Sequence, residues 1–140
     1  MERFRERTTV LQEKNKGKKQ MSNINDFKDL RIWQKGMEIA EKCYFITKLF
    51  PQDELYGMVQ QIRRSAVSIL ANIAEGYGRR TRGEYLRFLN IAQGSINELE
   101  THLILSKRLK LCPEKEVEMI LTLLKQKSKM IISLMNKLEN

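Results

Sequence analysis

The chain has 140 residues, 41% of them hydrophobic, and 26 Lys and Arg against 17 Asp and Glu give a formal net charge of +9. That length supports one domain whose core needs no disulfide or metal, while the basic balance favours polyanionic partners without dictating a fold. No apolar run approaches the ~18–20 residues that cross a bilayer and the N-terminus lacks a signal-peptide apolar segment, so no membrane partner is expected and the expected location is the cytoplasm.

Residues 1–20 hold seven basic and three acidic residues, a net +4, leaving +5 for residues 21–140. Their charged, aperiodic composition ends in a Lys/Gly/Gln run and reads as disorder. Two uses are open for it: a basic arm for RNA, or a flexible tail, including the case of a start placed too early at Met1 instead of Met21. The chain thus divides into a basic extension over 1–24 and a helical domain over 25–140.

A first helix is expected from about Lys28 to Phe50, where Leu30, Trp33, Met37, Ala40 and Tyr44 repeat at spacings of three and four. A second line, Ile32, Ile39, Cys43, Ile46 and Phe50, widens the apolar arc as for a helix packed on two neighbours. Pro51 ends it. A second helix begins near Asp53 as N-cap and carries Leu55, Val59, Ile62, Ala66, Ile69 and Ile73, with Gly76 as its stop. The loop GYGRRTRG follows, its glycines free to take positive φ, and Thr81 with Glu84 forms a capping-box pattern opening a third helix that reaches about Leu109 through Leu89, Ala92, Ile96, Leu99 and Leu103. Pro113 and Glu114 open a fourth helix to about Leu138, with the stripe Val117, Leu121, Leu124, Ser128, Ile131, Met135 and Leu138 beside the line Ile120, Leu123, Met130 and Leu134. Short connections then predict an all-α, up-down-up-down antiparallel four-helix bundle.

The usual catalytic parts are missing, and no enzyme activity is expected. His102 is the single histidine and lies between Leu99 and Leu103, a setting for a structural or surface residue. Cys43 and Cys112 are isolated, which signals neither zinc nor a redox pair, and both read as reduced packing residues. The glycines form no phosphate-binding loop motif. Neither a metal nor a cofactor is expected.

Two polar features remain. Gln61, Arg64, Ser68, Asn72 and Glu75, with Arg63 beside them, line the side of the second helix opposite its apolar stripe. They form either a solvated face or a contact with another subunit or with the third helix, whose Glu98 and Glu100 lie near in an antiparallel pair. Tyr77, Arg79, Arg80 and Arg82, with Arg87 a turn later, make the densest basic patch outside the tail. Arginines beside an aromatic ring can grip phosphate and stack on an unpaired base, the alternative being a plain solvated turn.

The segments FKDLRIWQKGMEIAEKCY, FPQDELYGMVQQIRRSAVSILANIAEGYGR and RFLNIAQGSINELETHLILSKRL closely resemble the bacterial four-helix bundle proteins named for intervening sequences in 23S rRNA genes. The resemblance spans about Phe27 to Leu138; Arg63-Arg64, Ser68 to Gly76 and Ala92 to Glu100 are its most specific parts. It departs at Gly36, where the family usually has alanine, which should loosen the first helix by about 1 kcal/mol. The resemblance implies a left-handed bundle assembling as a ring, most often a homopentamer, without catalysis. A more distant likeness, to accessory proteins of diversity-generating retroelements, implies a reverse transcriptase and nucleic acid as partners. Two functions of different class therefore stand: a module that binds RNA or DNA through a ring of basic loops, and an interaction scaffold without a nucleic-acid role.

Overall fold

The structure is a computed structural model that describes residues 24–140; the predicted extension lies, but for Ile24, outside the described residues. A short 3-10 turn, Phe27–Asp29, leads into four helices: α1 Arg31–Thr47, α2 Met58–Tyr77, α3 Arg82–Arg108 and α4 Glu114–Glu139. A second 3-10 turn, Gln52–Glu54, separates α1 from α2. Helix α1 packs on α2 and α4, and α3 packs on the same two, so that the four enclose one core.

Each helix boundary has a local cause. Asp26 caps the first turn by accepting from Lys28 N–H at 2.7 Å, and Leu30 is extended, so α1 starts at Arg31 and not at Lys28. Its regular part stops at Thr47; the chain then continues in three-residue turns to the buried Phe50, because a residue before proline is driven out of the α region. Asp53 does not cap α2 as expected. The chain turns through Gln52–Glu54, and α2 opens five residues later at Met58, behind Gly57. Thr81 caps α3, its hydroxyl accepting from Glu84 N–H at 3.1 Å.

No described glycine has positive φ; Lys110 does, at 56°. It closes α3 with two bonds, Lys110 N–H to Lys107 O and Leu111 N–H to Ser106 O, the pairing that usually places glycine in the left-handed position. A side chain there is strained by about 1 kcal/mol. Lys110→Gly is therefore expected to raise stability by about 0.5–1 kcal/mol, read as a higher melting temperature; a lower one would mean that the lysine side chain contributes more than its strain.

The core follows the expected stripes on α2 and α3, where Val59, Ile62, Ala66, Ile69 and Ile73 meet Leu89, Ala92, Ile96, Leu99 and Leu103, except that Leu55 precedes α2 and is exposed. On the other two helices the expected lines are borne out in part: on α1 the second line is buried through Phe50 and, of the first, Leu30 and Ala40. Ile32, Gly36, Ile39, Cys43 and Ile46 of α1 are buried, while Trp33 and Met37 are half-buried and Tyr44 is exposed. On α4 the buried line is Val117, Ile120, Leu124, Lys127, Ile131, Leu134 and Leu138, and Leu121, Ser128 and Met135 sit at its flank.

Lys127 is thus a core residue. It is 1% exposed, and its Nζ has no hydrogen-bond partner among the described residues. Gly36 gives it room: a Cβ at position 36 would lie 3.1 Å from Lys127 Nζ and 3.3 Å from Leu70 Cβ. Burial pushes the Lys127 pKa down to about 7 and the Cys43 thiol up to about 12.

Candidate functional site

The basic turn between α2 and α3 is built on a close approach of the two helices. Gly76 does not stop α2, which runs one residue further. Its role is contact, since a Cβ there would stand 2.7 Å from Phe88 Cβ and 3.1 Å from Tyr85 Cδ1. The next residue, Tyr77, turns inward, is 4% exposed and meets Tyr85 edge-on with ring centroids 6.1 Å apart. This corrects the expectation for Tyr77: a ring packed in the core presents no face to a base.

A partly open aromatic ring beside this turn is Phe88, half-buried and flanked by two guanidiniums. Arg79 Cζ lies 4.7 Å from its centroid and Arg87 Cζ 4.9 Å. Arg79 is also held by Glu75, Nη2 to Oε2 at 2.8 Å. Arg80 is exposed beside them, whereas Arg82 is half-buried with its Nε inside the protein. Glu84 follows in the first turn of α3. Four guanidiniums thus face two carboxylates, and the turn keeps a positive balance that the ring contacts hold in place.

Phe88 has no part in the expectation from sequence. The signal was available, since Phe88 lies three residues after Tyr85 and beside Leu89, one position wider than the core stripe requires.

The polar stripe of α2 divides. Ser68 Oγ is 2.8 Å from Ser95 Oγ on α3, and Asn72 Nδ2 donates to the Ser68 carbonyl at 2.8 Å and to its hydroxyl at 3.0 Å. This part of the stripe meets α3. Arg64 is exposed, its Nη2 3.5 Å from Gln61 Oε1. Arg63 points elsewhere, its Nε donating to Thr47 Oγ1 of α1 at 2.9 Å while its guanidinium stacks 4.6 Å from the Tyr44 centroid. Glu98 and Glu100 are exposed and form no ion pair with either arginine among the described residues, so of the two alternatives these positions follow the solvated one within a subunit.

The surface of the described residues also carries two grooves that sequence did not single out. One, of about 540 Å³, lies between α1 and α2 against Tyr44, Tyr56, Arg63 and Arg64. The other, of about 340 Å³, lies between α1 and α4 against Glu38, Glu41, Phe45 and Glu116. No helix of the described residues is long and apolar enough to cross a membrane.

Fold and surface define a protein of four packed helices carrying a basic turn and two open grooves. The chain belongs to the family described as 23S rRNA-intervening sequence protein, whose profile matches residues 28–133. It is also similar to a crystal structure from Bacteroides thetaiotaomicron VPI-5482, described as a protein with unknown function from the S23 ribosomal protein family. The two share 30% identity with a TM-score of 0.69, over 74% of this chain and 97% of that one. No curated protein matches the chain.

Proposed function

We propose that the chain is a non-enzymatic protein of the bacterial cytoplasm that self-associates and holds nucleic-acid phosphates at the turn between α2 and α3. The observation that carries this is the seating of Phe88 between Arg79 and Arg87 with Arg80 exposed beside them. Guanidiniums positioned on a ring lose less freedom on binding than free side chains do, and they present forked donors to phosphate oxygens. Base edges are not read by such a turn, so binding is sequence-independent.

The helices alternate up and down in this reading. Support comes from pairs that meet across helices: Thr47 with Arg63, Gly36 with Leu70, Ser68 with Ser95, and Gln93 with Ser128. Helices packed this way take a left-handed tilt, and copies joined in a ring repeat the basic turn once per subunit. Repetition matters because one turn with few phosphate contacts is readily screened by salt, while several turns on one strand raise avidity.

The test is the salt dependence of binding to a single-stranded RNA. Each phosphate neutralised contributes about 0.7 to the slope of log K against log salt, so replacing Arg79, Arg80 and Arg87 with serine lowers that slope clearly. Absence of RNA and DNA binding by the wild-type oligomer at about 50 mM salt, where electrostatic binding is strong, favours the second reading, an interaction scaffold. That reading draws on the pairing of Arg79 with Glu75, which already spends part of the charge of the turn.

A further inference from the structure

Consecutive residues of a helix point about 100° apart, and Tyr44 and Phe45 of α1 accordingly serve different faces of the bundle. On the Tyr44 side, the α1–α2 groove is lined by two charged residues, Arg63 and Arg64, and Tyr56 at its rim is 85% exposed. On the Phe45 side, in the α1–α4 groove, Glu38, Glu41 and Glu116 outnumber Lys42, and Phe45 is 64% exposed. Each groove therefore combines exposed aromatic surface with charge of one sign, and the signs are opposite. Exposed apolar surface of this kind rimmed by charge marks an interaction site.

We propose that these two grooves are the two halves of one subunit contact, the basic groove of each copy taking the acidic groove of the next. The proposal rests on the self-association in the reading above and supplies its surface. A two-fold contact through either groove alone would set like charges against one another, which costs affinity; the crossed pairing sets Arg64 against carboxylates and inserts exposed aromatic side chains on both sides.

Both grooves lie at one level of the bundle, because Tyr44 lines the first while Phe45 and Ile46 line the second. The grooves sit near the Pro51 end of α1 and α2, away from Arg79 and Arg80 after Tyr77 at the other end of α2. Assembly through them leaves every basic turn open.

Charge reversal tests the pairing, with the molar mass of the full chain read by light scattering and helicity by circular dichroism. Arg64 and Glu41 are both exposed, so Arg64→Glu and Glu41→Arg each leave the fold intact. Each single variant is expected to weaken assembly at least tenfold, and the double variant, with charges exchanged, to recover the wild-type mass. Single variants that keep the wild-type mass, or a double variant that fails to recover, overturn the pairing while self-association stands. A wild-type chain that is monomeric at micromolar concentration removes self-association itself, and the interface with it.

Discussion

Replacing Lys127 with methionine raises the stability of the bundle at pH 7 by about 4 kcal/mol and removes a rise in wild-type stability between pH 7 and 9. The cause is an ammonium group in the core beside Gly36, with no carboxylate paired to it among the described residues. Burial lowers the folded pKa from 10.5 to about 7, and each pH unit of depression is about 1.4 kcal/mol. Below pH 7 both folded and unfolded chains carry the proton and the full cost is present. Between pH 7 and 10.5 the unfolded chain still holds it while the folded chain has released it, so stability rises with pH. Cys43 acts in the opposite sense: its folded pKa, pushed up from 9.0 to about 12, makes stability fall as pH rises through that range. The window free of that opposition is pH 7 to 9. Urea midpoints for wild type and Lys127→Met, taken at half-unit steps, test this; a wild-type midpoint that stays level from pH 7 to 9 would show that the lysine keeps its charge in the folded state. Removing a buried charge for an apolar side chain of similar length often stabilises a fold by a few kcal/mol.

Lys127 also explains what the sequence does and does not disclose. Helices α2 and α3 each carry one dominant apolar line, and those lines are the core. On α1 and α4 the apolar residues form two lines, so periodicity establishes the helix without choosing its inner face. The choice is made by packing. On α4 the true inner line is interrupted by a lysine, which makes the neighbouring line through Leu121, Ser128 and Met135 look the better candidate. Gly36 reads from sequence as a weak point in α1, yet it faces the lysine that needs its space, so the two departures from an ordinary core belong together. The basic turn is legible through its density of arginine. The fate of Tyr77 is not, because its direction depends on where α2 ends, and α2 continues past the glycine that reads as its stop. The polar stripe is similarly half legible: its spacing places it on one side of α2, but only the distance to Ser95 separates the part that meets α3 from the part around Arg64 that faces solvent.

Gly76→Ala is expected to destabilise the protein by about 2 kcal/mol, against the usual gain of about 1 kcal/mol when alanine replaces glycine inside a helix. The added Cβ would meet Phe88 Cβ at 2.7 Å. A Cβ is fixed to its backbone and cannot rotate away, so α2 and α3 must part. That movement shifts Phe88 from its place beside Arg79 and Arg87, and the proposed affinity for single-stranded RNA is expected to fall although no charge has been removed. Gly94 on α3 provides the control, since a Cβ there meets nothing within 4 Å. Gly94→Ala is therefore expected to raise the melting temperature while Gly76→Ala lowers it. The opposite signs separate close helix contact from helix propensity, which favours alanine at both positions, though less at Gly76 in the last turn of α2. If Gly76→Ala melts at or above the wild-type temperature, the helices have slack at this point, and the ordered seat of Phe88 between two arginines loses its structural cause.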